Sequence, residues 1–336
     1  MQLQFKFKPN LSKRVIRLMQ FICRNHGIPY QNEDVEPLRM DYHRKDAEHP
    51  VAFAFQKPAA LHPHLAGNIR LHRQFHSRYL EFERDIIVYL PPSYTDNPHR
   101  RYPVLYMHDG NNVMDPRTSF AGVAWEVNDS VERLVASGQM DEIIVVGIYN
   151  SPARMYEYTW TQMVLDGPTP QGGHGKKYAQ FLVKELKVFI DKTYRTLADR
   201  QNTAIMGSSL GGLINFYIGR HHSDTFGKVA MMSPSFWWGD GIVFKHVKNY
   251  PEGLKLWMDM GIYECGSDRP DANSQTLKMT RRMHEMFLAR GYQDNVDFKY
   301  FEDPHGHHNE YSWSRRLHRP LMFFFPPKPE SGQQAA

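Results

Sequence analysis

Gly207, Ser208, Ser209, Leu210 and Gly211 form a G-x-S-x-G set. It lies between an apolar run, Thr203-Ala204-Ile205-Met206, and a second apolar stretch of helical character, Leu213-Ile214-Asn215-Phe216-Tyr217-Ile218. The arrangement makes Ser209 a candidate nucleophile. Such a serine works when a tight strand-to-helix turn projects its hydroxyl from the sheet, and the flanking glycines are needed where strand and helix crowd together. The pattern by itself has little specificity, arising by chance in roughly one chain in ten of this length. Its meaning depends on partners elsewhere in the chain.

A hydroxyl is a poor nucleophile at neutral pH, so Ser209 needs a base within hydrogen-bond reach and an acid to orient that base. In one common plan the chain order is nucleophile, acid, histidine, with the last two on loops after later strands. Glu264 stands just beyond the apolar run 255–260 and is the expected acid; Asp268 and Asp259 are its competitors, Asp259 lying within the run itself. After a run ending near Glu302 come His305, His307 and His308. His308 is the expected base, because it immediately precedes a helix start at Asn309 and a loop there can swing its ring over the serine. Three histidines could instead hold zinc, but no H-E-x-x-H or cysteine-containing motif accompanies them, so neither a metal nor an organic cofactor is expected. The oxyanion of an acyl-transfer intermediate needs N–H donors. The backbone N–H of Leu210 is one, and that of Asn111, in the turn Met107-His108-Asp109-Gly110-Asn111-Asn112, is the other.

These residues require a sheet to hold them. Apolar runs at 85–90, 104–107, 143–148, 203–206, 229–232, 255–260 and 296–301 read as strands. Between them, 175–194 repeats Tyr178, Phe181, Leu182, Leu186, Phe189 and Ile190 at three- and four-residue spacing, as one face of a helix does. Strands alternating with helices describe an α/β fold with a mostly parallel central sheet and helices on both faces. Pro91-Pro92 closes the first run and Pro103 opens the next, which suits an antiparallel lead-in. The expected organisation is an N-terminal basic helix and irregular arm at 1–65, a catalytic domain at 66–325 and a disordered tail at 326–336.

The chain has 336 residues, 41% hydrophobic and 23% charged, enough to bury a large core. A net charge of +5 is modest and describes a solvated surface, with no nucleic-acid partner expected. Two cysteines, Cys23 and Cys265, make no disulfide framework and suit the reducing cytoplasm. No stretch approaches the ~20 apolar residues that would cross a bilayer. A secretory signal is not expected, because Arg17 interrupts the apolar residues at 15–23. Lys6, Lys8, Lys13, Arg14, Arg17 and Arg24 precede the first acidic residue, Glu33, so organelle targeting stays open beside a packed amphipathic helix.

With these residues assembled, the chain resembles the putative-esterase family of α/β-hydrolases, which includes enterochelin (ferric siderophore) esterases, feruloyl and acetylxylan esterases and S-formylglutathione hydrolase. The similarity is closest to the enterochelin-esterase side. It is carried by Arg84-Asp85-Ile86-Ile87-Val88-Tyr89-Leu90-Pro91-Pro92, by Tyr102-Pro103-Val104-Leu105-Tyr106-Met107-His108-Asp109-Gly110-Asn111, by 207–212, by Ser233-Pro234-Ser235-Phe236-Trp237-Trp238, and by His308-Asn309-Glu310 with Trp313. The resemblance implies an α/β-hydrolase fold, Ser209 as nucleophile and His308 as base. It leaves the acid open.

Two further segments are expected to face substrate. Phe236, Trp237 and Trp238 offer flat apolar surface to an aromatic acyl group, with packing beneath a loop as the alternative. Arg154 could meet an anionic group, although a salt bridge is the commoner fate of such a residue. The expected protein is a serine carboxylic-ester hydrolase acting on a small-molecule ester, first a ferric-siderophore or related catechol ester, then a feruloyl, acetyl or other small ester. An acyltransferase and a non-catalytic hydrolase-fold binder are the competing readings. The sequence does not speak to oligomeric state.

Overall fold

Residues 68–165, 168–264 and 274–327 are described in the computed structural model of the chain. The expected arm at 1–65 with Cys23, the acid candidate Asp268 with Cys265, and residues 328–336 of the expected tail lie outside the described residues.

The strands are β1 (Ile69–Phe75), β2 (Arg84–Tyr89), β3 (Val104–His108), β4 (Ile144–Ile148), β5 (Gln162–Met163), β6 (Gln171–Gly172), β7 (Thr203–Ser208), β8 (Lys228–Met232), β9 (Lys255–Tyr263) and β10 (Phe298–His307). All but the small β5–β6 pair form one eight-stranded sheet in the order β1-β2-β4-β3-β7-β8-β9-β10. β1 pairs with β2, and β2 with β4, antiparallel. From β4 to β10 every pairing is parallel. The apolar runs are near-continuous because the central strands are covered twice: β3, β4 and β7 are buried at every position.

Alternate residues feed two cores. Ile86, Val88, Val104, Tyr106, Val146 and Ile205 face one cluster, and Ile87, Tyr89, Leu105, Met107, Val145 and Met206 face the other. The helices are α1 (Val127–Ala136), α2 (Arg154–Glu157), α3 (Gly175–Phe181), α4 (Lys187–Thr193), α5 (Leu210–His221), α6 (Gln275–Ala289), α7 (Glu310–Arg316) and α8 (His318–Phe324). The first cluster is closed by α3 to α6, including Tyr178, Phe181, Phe216 and Phe287. The second is closed by α1, α7 and α8, through Val131, Trp313, Leu317 and Leu321. The amphipathic stretch is helical from Gly175 to Thr193, with a π-helical turn, Leu182–Leu186, joining α3 to α4. This is an α/β-hydrolase fold.

Several elements differ from the sequence reading: the short β5–β6 pair was not expected, and β9 runs on to Tyr263. β1 begins at Ile69 and shows only a weak alternation, which is why its start was not legible. β10 continues through Pro304 to His307, whereas a loop was expected after Glu302. A proline is tolerated there because β10 is the sheet's edge and its register against β9 shifts between Asp303 and His307.

Candidate active site

The chain passes from β7 to α5 through a single residue, Ser209, whose backbone sits at φ 58, ψ −121. A side chain with φ in that range costs about 1–3 kcal/mol and persists only where its surroundings enforce it. Here they do. Ser209 N–H donates to the carbonyl of Met232 at 3.0 Å, and the Ser209 carbonyl accepts from the N–H groups of Leu213 and Ser235, each at 3.0 Å. The approach of α5 to β7 explains Gly207: a Cβ at that position would lie 2.7 Å from His108 Cδ2 and 2.9 Å from the Gly211 carbonyl carbon.

His108 beneath this turn is buried and fully bonded. Asn215 Nδ2 donates to the Ala230 carbonyl at 2.8 Å, so Asn215 Oδ1 accepts from His108 Nε2 at 2.7 Å. His108 Nδ1 then accepts from the Tyr178 hydroxyl at 2.9 Å. Burial pushes its pKa down to about 4, making it a neutral support rather than a second base.

The hydroxyl of Ser209 lies 2.9 Å from His308 Nε2 and 3.2 Å from Ser235 Oγ. His308 Nδ1 donates to Glu264 Oε2 at 2.5 Å, which fixes the tautomer and leaves Nε2 able to accept the serine proton. The ring follows the end of β10. Asn309 then caps α7, its side chain accepting from Ser312 N–H at 2.9 Å, and Trp313 meets the imidazole edge-on at 5.0 Å. Of the other two histidines, His305 is exposed on β10, and His307 stacks on Tyr263.

Glu264 follows β9 directly. Burial would raise its pKa, but His308, Arg316 and the Ser233 hydroxyl outweigh burial and hold it below the usual carboxylate value. Its Oε1 accepts from Ser233 Oγ at 2.6 Å and from Gly261 N–H at 2.7 Å. Ser233 in turn accepts from Trp313 Nε1 at 2.9 Å and Arg316 Nη2 at 2.5 Å. Asp259 is occupied elsewhere: Oδ1 binds Arg316 Nε at 2.9 Å and Oδ2 binds Trp257 Nε1 at 2.7 Å. Sequence reasoning missed the supporting roles of Ser233, Trp313 and Arg316. They are spread over β8 and α7, and no spacing joins them.

Asn111 lies in a single 3-10 turn, Gly110–Asn112, at the end of β3, the parallel neighbour of β7. Its carbonyl accepts from Thr118 Oγ1 at 2.6 Å. Leu210 is the first residue of α5, so its N–H has no acceptor within the helix. Both turns open at the carboxyl edge of the sheet.

Arg154 is not the free cation that substrate recognition would want. Its Nε and Nη2 bind Asp109 Oδ1 and Oδ2 at 2.6 and 2.8 Å, its guanidinium lies over the Tyr158 ring, and Asn150 Nδ2 adds a 2.7 Å bond to the same carboxylate. Burial opposes ionisation of Asp109, but Arg154 and Asn150 outweigh it and hold its pKa below the ordinary value. The aromatic expectation is also corrected. Phe236 and Trp238 are buried in the core, Phe236 edge-on to Phe216 and Trp238 Nε1 donating to the Thr161 carbonyl at 3.1 Å. Only Trp237 is partly exposed.

Among the described residues no group of three or more His, Cys, Asp or Glu side chains is arranged to hold a metal ion, and no helix is long and apolar enough to cross a membrane. The arrangement can move a proton from a serine hydroxyl to an oriented imidazole beside backbone N–H donors, the requirement for acyl transfer.

The family profile described as "Putative esterase" matches residues 77–324. Uncharacterized protein YbbA of Bacillus subtilis (strain 168) is 25% identical over 231 residues, covering 68% of this chain and 87% of that protein. Among solved structures, the siderophore hydrolase EstA from Aspergillus nidulans superimposes with TM-score 0.62 at 18% identity, covering 79% of this chain and 96% of that one. A ferulic acid esterase does so with TM-score 0.58 at 24% identity, covering 76% and 97%.

Proposed function

We propose a mechanism for this chain, which belongs to the putative esterase family and is an esterase of the serine hydrolase class: Ser209 is the nucleophile, His308 the base and Glu264 the acid that orients it. Ser209 Oγ attacks the ester carbonyl carbon while His308 Nε2 takes its proton. Glu264 stabilises the imidazolium, and the N–H groups of Leu210 and Asn111 bind the oxyanion, where one such donor is worth about 10²–10³ in rate. The intermediate collapses as His308 returns the proton to the departing alcohol oxygen. Water then attacks the acyl-enzyme, with His308 again the base, and releases the acid.

The observation carrying this reading is the unbroken line from Ser209 Oγ through His308 to Glu264, at 2.9 and 2.5 Å. Incubation with p-nitrophenyl acetate and a fluorophosphonate probe tests it. Wild type turns over and labels; Ser209→Ala does neither. Labelling that survives in Ser209→Ala overturns the assignment.

For the substrate, a ferric-siderophore or related catechol ester comes first, supported by the likeness to a siderophore hydrolase, and a feruloyl or other small ester second. The pairing of Arg154 with Asp109 gives no added weight to an anionic group on the substrate. Hydrolysis of a ferric triscatecholate trilactone is compared with that of ethyl ferulate. Activity confined to the ferulate reverses the order.

A further inference from the structure

Glu310 is a buried carboxylate that the mechanism above leaves unused. It is the first residue of α7, two positions after His308, and 6% exposed. Its Oε1 accepts from Asn112 Nδ2 at 3.3 Å. The direction of that bond is set by Asn112 itself, whose Oδ1 accepts from Asn111 Nδ2 at 2.8 Å and from Phe120 N–H at 3.0 Å, leaving Nδ2 to donate. Glu310 Oε2 is buried with no hydrogen-bond partner among the described residues. A carboxylate at a helix start ordinarily stays in solvent. This one reaches across the site to the turn that holds Asn111.

We propose that Glu310 is a positioning residue: through Asn112 it ties the oxyanion turn to the start of α7, two residues after His308, so that base and oxyanion donors keep a fixed separation during the reaction. The proposal rests on the reading of Ser209 and His308 as nucleophile and base. The groups facing Glu310 agree with a place between the two. Burial, with Asp109 on the oxyanion turn, holds its pKa above the ordinary carboxyl value against the pull of its own backbone N–H, of His308 just before α7 and of Arg154 on α2.

The test uses the full chain and p-nitrophenyl acetate, with Glu310→Ala, Glu310→Gln, Asn112→Ala, the double variant and Ser209→Ala. Loss of the tie in Glu310→Ala lowers kcat by about tenfold with KM little changed. Asn112→Ala removes the same tie together with the acceptor of Asn111 Nδ2 and Phe120 N–H, so its loss is at least as large, and adding Glu310→Ala to it brings no further loss. Glu310→Gln keeps the accepting oxygen and recovers most of kcat. Should Glu310→Ala fail to fold, the Asn112→Ala loss set against the recovery in Glu310→Gln decides. Wild-type kcat in Glu310→Ala, additive losses in the double variant, or a Glu310→Gln variant as slow as Glu310→Ala overturns the proposal. An inactive Ser209→Ala alongside any of these leaves the nucleophile assignment standing; an active one overturns both.

Discussion

Replacing Glu264 by Gln removes one charge and almost no volume, and its effect can be worked from the bonds around it. Ser233 Oγ and Gly261 N–H both donate to Oε1, at 2.6 and 2.7 Å, so the amide oxygen takes that place. The amide NH₂ then faces His308 Nδ1 across the 2.5 Å now spanned by Oε2. A donor there requires Nδ1 to accept, which moves the ring proton to Nε2. His308 would donate to Ser209 rather than take its proton, and the base is lost. Fixing the wrong tautomer lowers kcat by about 10⁴-fold, or roughly 5.5 kcal/mol of transition-state stabilisation. KM should change little, since Glu264 is buried and touches no substrate. The fold should survive, because Arg316 keeps its 2.9 Å bond to Asp259. The assay is p-nitrophenyl acetate turnover with a thermal melt on the same samples. Asp259→Asn is the control: weakening a buried pair lowers Tm by roughly 10 °C while kcat stays within about tenfold. A folded Glu264→Gln with kcat within tenfold of wild type refutes the reasoning, and a Asp259→Asn variant that is folded but inactive transfers the role to Asp259.

Ser209→Gly relieves the backbone at φ 58 and should raise Tm by about 2–4 °C while abolishing turnover; a lower Tm would mean that the bonds to His308 and Ser235 outweigh the strain. Arg154→Met leaves Asp109 buried without its cation. Asp109 now has a lowered pKa, so its contribution is present above the ordinary carboxyl value and is lost as pH falls through the lowered one. Without Arg154, burial dominates and the Asp109 pKa rises, so the variant should be about 2–4 kcal/mol less stable at pH 7.5, with the deficit shrinking as the pH falls toward 4. Urea melts across that range check this, and a pH-independent deficit contradicts it. Gly207→Ala forces a Cβ to within 2.7 Å of His108 Cδ2 and should cost about 1–3 kcal/mol, read as a lower urea midpoint with reduced kcat; an unchanged midpoint contradicts the packing argument.

Much of this protein was legible locally. The expected strands at 104–107 and 143–148 lie within one residue of β3 and β4 at either end, and 203–206 within two of β7, because strands covered on both faces must be apolar at nearly every position. Ser209 stood out because the strand, the turn glycines and the helix that hold it are contiguous in sequence. Arg154 could be seen to need a partner. That the partner is Asp109, 45 residues away, depends on the ends of β3 and β4 lying side by side. The burial of Phe236 and Trp238 was equally out of reach, since an aromatic run after a strand reads alike whether it lines a pocket or a core.

The sequence by itself determined the α/β plan, the nucleophile turn and a short roster of partners: three acids and three histidines. Among those it describes, the tertiary structure brings His308 and Glu264 into line with Ser209. In the parallel register of β9 and β10, Tyr263 pairs with His307, so the residues that follow the two strands, Glu264 and His308, emerge together at their carboxyl ends. A shift of that register would separate them. Local pattern encodes the conformation of a segment, whereas the meeting of two segments 44 residues apart is set by strand pairing.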